Sequence, residues 1–527
     1  MITNPAIPAG LPTESELLSL AGEFEAETCA NGINALLTDG NPQVISQAIA
    51  KAESAAGYYT LADADYAGLI DEVLTAGNIV APAAAALAEE PPAGYQPSVI
   101  SVREAEKGTQ TVETAPSAKS GSIVIGTKSL EDIRRDFPIL SEKIHGHDLV
   151  WLDNGATTQR PRAVIDRLVH YYLHENSNVH RGAHELASRS TDAYEGARQT
   201  VADFIGAPSK DNIVFVRGTT EGINLVAQSY VKQYLQPGDE IILTLLEHHA
   251  NIVPWQLVAQ ETGAVLKVAP VDDRGQIILP EYERLFTRRT KFVSATHVSN
   301  VLGTITPVHE LVQIAHRHGA RILIDGAQSV AHLPVDVSSM DADFFVFSGH
   351  KIFAPTGIGA VYGKKEVLEA ARPYQGGGNM IKDVTFERTI YNPAPNKFEA
   401  GTGSIADAVG LGAALEYLNG IGMPAISQYE HELTEYAMGE LASIPGLTLI
   451  GTVPDKAGVL SFVLEGQDIV SVGERLNQYG IAVRAGHHCA QPILRHYGLE
   501  GTVRPSLAFY NSPEDIDALV RALYSMV

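Results

Sequence analysis

From Ile133 onward the chain alternates short β-branched runs with stretches of helical period, and this alternation restricts its fold more than any other feature of its 527 residues. Asn212-Ile-Val-Phe-Val216, Glu240-Ile-Ile-Leu-Thr244, Ala264 to Val268, Lys291 to Ala295, Arg321 to Asp325 and Asp343 to Phe347 read as strands. A helix is expected from Thr220, and another over Val308 to His318. Nearly continuous apolar strands separated by helices predict an α/β domain with a mostly parallel sheet. Such sheets carry their sites at the carboxyl ends of the strands. The polar residues just after each run are therefore the candidates.

Those residues form a consistent set. Arg217-Gly218-Thr219-Thr220-Glu221-Gly222 follows the first run and Glu247-His248-His249-Ala250-Asn251 follows the second. His297 and Asn300, then Asp325-Gly326-Ala327-Gln328, then Ser348-Gly349-His350-Lys351 follow later ones. Gly218-Thr219-Thr220 offers backbone N–H groups and two hydroxyls at a helix start, a ready phosphate site, although a lone Gly-Thr-Thr also serves as a simple cap. There is no G-x-G-x-x-G after the first strand and no P-loop pattern, which disfavours a dinucleotide or nucleoside triphosphate. Lys351 follows a nearly all-apolar strand, where desolvation would lower its pKa and make it an imine-forming nucleophile. Taken singly, Asp325 reads as a turn residue and Lys351 as a solvated one. A lysine, a phosphate site and a strand-end Asp together match the needs of pyridoxal 5'-phosphate.

The runs Arg217-Gly-Thr-Thr-Glu-Gly-Ile-Asn-Leu-Val226, Glu247-His-His-Ala-Asn-Ile-Val-Pro-Trp255, Asp325-Gly-Ala-Gln328, Phe347-Ser-Gly-His-Lys351 and Arg484-Ala-Gly-His-His-Cys489 resemble the group II (Suf-type) cysteine desulfurases and the related selenocysteine lyases. The resemblance covers about residues 126–527. It implies a fold-type I pyridoxal-phosphate enzyme, usually a homodimer, with a seven-stranded large domain and a smaller α+β domain. The large domain would be 146–404, and 126–145 with 405–527 the small one. The resemblance gives Lys351 the covalent link to the cofactor, Asp325 the pyridine nitrogen, Gln328 the ring hydroxyl, and His248 the stacked face and a proton-transfer role. Thr219, Thr220, Ser348 and His350 would bind the phosphate, and Thr402 would reach the phosphate of the other subunit. Arg504 would pair with the substrate carboxylate, assisted by Asn300, while His180, Arg181 and Arg484 would shape the mouth. After Gly401-Thr402 the chain reads Gly403-Ser404-Ile405-Ala406-Asp407, where the usual Suf-type enzymes carry a Pro-Asn run.

Cys489 is the body's one cysteine. A lone cysteine is often a buried small hydrophobe, but His487, His488 and Arg484 beside it would favour a thiolate. Neighbouring histidines diverge and one cysteine is a poor ligand set, so no metal is expected. The resemblance then implies conversion of L-cysteine to L-alanine, a persulfide on Cys489, and delivery to an acceptor, as in iron–sulfur cluster assembly. A selenocysteine lyase using the same residues, or a scaffold without turnover, stays open at this point.

Charge separates the remaining quarter of the chain. Acidic residues outnumber basic ones 62 to 38 for a net charge of -24, and residues 1–125 carry 16 acidic and 4 basic residues of these. An acidic chain repels phosphate backbones, which argues against nucleic-acid binding. No apolar run approaches the roughly 20 residues of a membrane span. The N-terminus lacks a secretory pattern, and two cysteines form no disulfide framework, so the expected location is cytoplasmic. Within 1–80 three short helices are expected, one opened by the Thr13-x-x-Glu16 capping box. Residues 81–125, rich in Ala, Pro, Ser, Thr and Glu, read as a linker. The segment is either a solvated, partly disordered tail or a docking segment anchored by Leu17, Leu20 and Phe24. It resembles the long N-terminal segments of cysteine desulfurases packaged in encapsulin-type shells.

Overall fold

The computed structural model describes residues 123–179 and 183–527. The expectations for residues 1–122, and for His180 and Arg181, lie outside the described residues.

The central sheet has seven strands: β1 (Ile213–Val216), β2 (Glu240–Thr244), β3 (Val265–Ala269), β4 (Thr290–Thr296), β5 (Arg321–Asp325), β6 (Phe344–Ser348) and β7 (Gly359–Gly363). Their spatial order is β1-β7-β6-β5-β4-β2-β3. Neighbours are parallel except at β7, which runs antiparallel to both β6 and β1. The six runs read from the sequence are strands to within one residue at either end. Their lack of polar alternation has a direct cause. Ile213, Phe215, Ile242, Val293, Ile322, Ile324, Phe345 and Phe347 pack into one core, while Val214, Val216, Ile241, Leu243, Phe292, Leu323, Phe344 and Val346 pack into the other. Both sheet faces are covered, so both residue parities are apolar.

The seventh strand escaped the sequence because Gly359 and Gly363 punctuate a run of three residues. Gly359 is demanded by packing: a Cβ there would meet the Phe347 carbonyl oxygen at 2.4 Å and Gly218 Cα at 2.7 Å. The antiparallel strand is thus pressed against the turn that follows β1.

Four helices bear on the site and its surroundings: α1 (Arg162–His174), α2 (Glu185–Phe204), α3 (Thr219–Ser229) and α4 (Ile405–Ile421). α3 starts at the Gly218 turn, one residue before the expected start. α4 packs its apolar residues into the same core as Tyr194, Ala197 and Val201 of α2. A second, antiparallel sheet contains β8 (Leu447–Leu449), β9 (Phe462–Leu464), β10 (Arg484–Gly486) and β11 (Thr502–Arg504) in the order β8-β9-β11-β10. Among the described residues no helix is long and apolar enough to cross a membrane.

Candidate active site

The carboxyl ends of β1, β2, β4, β5 and β6 converge with β10 and β11 around a cavity of about 250 Å³. Thr219, Thr220, His248, Asn300, Asp325, Gln328, Ser348, His350, Lys351, Arg484, Cys489 and Arg504 all line it. Thr402 does not. It is exposed on its own chain, in a separate depression with Asn178 and His184.

One wall is a cradle of donors. β1 runs into the Gly218 turn, and α3 opens there at an N-cap without a side chain of its own. The Ser348 hydroxyl, at the end of β6, accepts from Thr219 N–H at 2.8 Å and lies 2.8 Å from Thr219 Oγ1. The helix terminus and these hydroxyls make an anion site. His350 lies alongside, and burial lowers it to about 4, so it stays neutral.

Lys351 lines the same cavity. Burial pushes its amine down to about 8, opposed by the charge of Asp325. Asp325 ends β5, is buried, and accepts Ala327 N–H at 2.9 Å through Oδ1. Burial raises its carboxyl, opposed by that hydrogen bond and by Lys351. Gln328 is held by donation from Nε2 to the Gly155 carbonyl at 2.7 Å. Burial lowers His248 to about 3. Its Nδ1 accepts Ala250 N–H at 3.0 Å, so the neutral ring carries its proton on Nε2.

Arg504 is 2% exposed. Its Nη1 donates to the Asn300 carbonyl at 2.8 Å, and its Nε is buried without a partner. Burial lowers this guanidinium to about 10, partly offset by Asp153. Asn300 Oδ1 is a second buried orphan, while its Nδ2 donates to the His488 carbonyl at 2.7 Å. Two unpaired polar atoms on one wall are a reason to expect a polar ligand there.

Cys489 is exposed, and both it and His488 adopt positive φ, at 54° and 49°. Such backbone costs of order 1–3 kcal/mol per residue and persists where surrounding contacts enforce it. Here His249 N–H donates to the Cys489 carbonyl at 2.7 Å, and Asn300 fixes the residue before it. The expectation that His488 supplies positive charge to the thiol is corrected. Its ring is buried, Nε2 is bonded to Thr502, and burial drives it down to about 3. The cations that feel the charge of Cys489 are Lys351, Arg484 and Arg504.

Sequence reasoning missed Asp153 and Gly155, and gave His249 no role although it stood in a candidate run. Asp153 bridges the two arginines, and a Cβ on Gly155 would meet Arg504 Nη2 at 3.2 Å. The available signal was Leu152-Asp153-Asn154-Gly155, an acidic turn directly after the strand Val150–Trp151. His249 carries the same strand-end signal as His248.

Comparison with known proteins agrees with this geometry. Residues 150–519 match the aminotransferase class-V family. The chain is 62% identical over 415 residues to a cysteine desulfurase of Synechococcus elongatus, covering 79% of this chain and 66% of that protein. It is 64% identical over 391 residues to a probable cysteine desulfurase of Mycolicibacterium paratuberculosis, covering 74% of this chain and 57% of that one. The match thus spans less than two thirds of these curated relatives. A probable cysteine desulfurase of Synechocystis is 49% identical, with 75% of this chain and 95% of that protein covered. Among solved structures, the Escherichia coli cysteine desulfurase CsdA superposes with a TM-score of 0.70 at 40% identity, covering 75% of this chain and 98% of that one. The apo cysteine desulfurase from Thermococcus onnurineus gives 0.72 at 38% identity, with the same shares covered.

Proposed function

The chain belongs to the aminotransferase class-V family, and from that premise we propose that it is a pyridoxal-phosphate-dependent cysteine desulfurase. The observation that carries the reading is one cavity collecting Lys351, Asp325, His248, Cys489 and Arg504.

The residues present fit the cofactor. Lys351 offers an amine lowered by burial to about 8, with a larger free-amine fraction at neutral pH than an ordinary lysine has. Asp325 is placed for a cationic ring nitrogen, whose charge would offset the burial that raises its carboxyl. The α3 terminus with Thr219, Thr220, Ser348 and His350 suits the phosphate, and Gln328 and His248 suit the ring. When bound, the cofactor supplies a conjugated electron sink for the substrate Cα.

The chain's own residues do the rest. Arg504 takes the substrate carboxylate on its open Nε edge, and Asn300 Oδ1 accepts from the same ligand. Lys351 Nζ removes the Cα proton. The Cys489 thiolate attacks the substrate sulfur: an S–S bond forms, the Cβ–S bond breaks, and its electron pair stays with the carbon skeleton. Protonation of that skeleton, with His248 Nε2 as a proton carrier, yields L-alanine. An acceptor thiolate then takes the outer sulfur and restores Cys489. The balance is L-cysteine plus acceptor thiol giving L-alanine plus acceptor persulfide. The exposure of Cys489 supports this last transfer.

Further parts of the reading have narrower support. A homodimer is supported by Ile165, Val169, Tyr172 and Leu173, which leave an apolar stripe of α1 exposed, and by Thr402 lying away from its own chain's cavity. The division into a large part, 146–404, and a small part, 126–145 with 405–527, is supported by the separate sheets within 213–363 and 447–504. The acidic segment 1–125 is proposed as a docking segment for a partner or protein shell, on its charge alone. Cytoplasmic sulfur delivery to iron–sulfur cluster assembly is the proposed setting.

Cys489→Ala tests the assignment. It should retain bound cofactor absorbance but lose catalytic release of alanine from L-cysteine. Multiple-turnover alanine release by that variant, with reductant present, would overturn the role of Cys489.

A further inference from the structure

The turn that follows β2 brings His248 to the cavity, and two buried side chains fasten that turn to β4. Glu247 and Asn251, both fully buried, stand at its two ends. Glu247 Oε1 accepts from Thr296 N–H at 3.0 Å and from Thr244 Oγ1 at 2.5 Å, and its Oε2 accepts from Asn251 Nδ2 at 2.6 Å. Asn251 Oδ1 accepts in turn from Ser294 Oγ at 2.6 Å and from Trp255 Nε1 at 2.9 Å. Ser294 and Thr296 both belong to β4. The end of β4 is itself bonded to the end of β5: Thr296 pairs with Asp325, and His297 N–H donates to the Asp325 carbonyl at 2.9 Å.

One turn therefore serves two groups of the site. His248 lines the cavity, and the next residue's N–H, on His249, holds the Cys489 carbonyl at 2.7 Å. The donors around position 247 also dictate what stands there. Trp255 Nε1 can only donate, so it fixes the Asn251 amide with Oδ1 toward itself and Nδ2 toward Glu247. Thr296 presents a main-chain N–H from the other side. A carboxyl group accepts from both, whereas an amide of the same shape would set its NH2 against one of the two donors. Burial raises the Glu247 carboxyl to about 8, opposed by these hydrogen bonds, with the charge of Asp325 adding to the rise. A proton on it would go to Thr244 Oγ1, so the bonds to Thr296 and Asn251 persist in either state.

We propose that Glu247 is a positioning residue for the desulfurase reaction: by fastening the 247–251 turn to β4 it holds His248 against the cofactor ring and, through His249 N–H, holds the Cys489 loop in register with the substrate sulfur. This rests on the reading of the cavity as a cysteine desulfurase site. Glu247 itself does not line the cavity, so its effect on the chemistry passes through the turn. Misplacing a reacting group by about 1 Å can cost about 100-fold in rate. Arg504, which takes the substrate carboxylate, is held by the Asn300 carbonyl and not by this turn. A loosened turn therefore belongs in kcat and leaves KM nearly unchanged.

The test exchanges the two partners in the holoenzyme. Glu247→Gln should lower kcat for alanine release from L-cysteine at least tenfold, with KM within threefold of wild type. It should also change the visible circular dichroism of the bound cofactor at least twofold, because that signal reports the groups packed around the ring. Adding Asn251→Asp reverses donor and acceptor: the new amide donates to the new carboxylate and still accepts from Thr296 N–H, while Ser294 and Trp255 keep an acceptor. The double variant should recover both kcat and dichroism at least fivefold and 1.5-fold respectively toward wild type. A smaller fall in kcat, a loss carried by KM, unchanged dichroism, or a double variant that recovers less than this overturns the proposal. Should Glu247→Gln fail to fold, Asn251→Asp alone reads the same pair from the other side. It sets carboxyl against carboxyl and should lower kcat at least tenfold with KM within threefold; a smaller loss overturns the proposal equally. Failure of the desulfurase reading would show differently, as absence of alanine release from L-cysteine by the wild-type protein.

Discussion

Replacing Arg504 by lysine should raise the KM for L-cysteine by about 10- to 150-fold with kcat changed only a few-fold, because it removes one of two charge-assisted hydrogen bonds worth about 1.5–3 kcal/mol each, at 1.4 kcal/mol per tenfold. The cause lies in how the guanidinium is held. Arg504 Nη1 is committed to the Asn300 carbonyl at 2.8 Å, which fixes the plane of the group. Along one edge of the group Nε is buried without a partner, and beside it Nη2 has Asp153 Oδ1 at 3.5 Å. A carboxylate laid on that edge receives two parallel donors. Lysine keeps the charge but is a point donor without a fixed plane, and it cannot serve the Asn300 carbonyl and both carboxylate oxygens together. The lost contact is made alike in ground and transition states, so the loss belongs in KM. Steady-state alanine release against L-cysteine concentration measures it. A KM within threefold of wild type, or a loss carried wholly by kcat, would refute the assignment of Arg504 to the carboxylate.

Two further outcomes are expected from the electrostatics. In cofactor-free protein Lys351 should titrate near 8 rather than 10.5, so at pH 7 its free-amine fraction should exceed that of an ordinary lysine by roughly 300-fold. The pH dependence of Lys351 acylation, mapped by peptide mass, checks this, and a midpoint near 10.5 would contradict it. His316 lies 2.9 Å from Asp343 and 3.2 Å from Asp341. The hydrogen bond to Asp343 raises it above its ordinary 6.5, against an opposing contribution from burial. A raised histidine contributes stability that is fully present below its unfolded value and lost as pH rises through the folded one. His316→Gln should therefore lower Tm most below about pH 6, with the deficit shrinking as pH rises. A deficit constant across that range would mean that charge plays no part.

The sequence exposed the sheet because its strands are buried on both faces. Phe344 and Phe345 point into different cores, yet both must be apolar, and that doubled demand writes a run no surface strand would carry. Gly359–Gly363 meets the same demand differently. It needs absent side chains where it presses on Phe347 and Gly218, and absent side chains leave no pattern. The site divides along a similar line. Lys351, Asp325 and His248 stand at or shortly after the ends of strands that could be recognised, so their convergence could be argued. Asp153 sits 331 positions from Arg484 and 351 from Arg504, and an acidic turn after a two-residue strand does not point to such distant partners. His488 misled by adjacency. Being next to Cys489 suggested a cation, but at φ 49° its ring goes to Thr502 and into the interior.

The residues lining the cavity come from two sheets, and the links between them run mainly to backbone atoms. His249 N–H meets the Cys489 carbonyl, Asn300 meets the His488 carbonyl, Arg504 meets the Asn300 carbonyl, and Gln328 meets the Gly155 carbonyl. Main-chain atoms cannot change rotamer, so each link transmits the position of one strand end to another with little slack. The proposed chemistry would need this: the thiol would have to reach a sulfur on a substrate held by its carboxylate, and misplacement by an ångström at such distances can cost about 100-fold in rate. A reactive cysteine on an exposed loop would ordinarily be too mobile for that. These links, with left-handed backbone at two successive residues, hold the Cys489 loop in place while leaving Cys489 exposed.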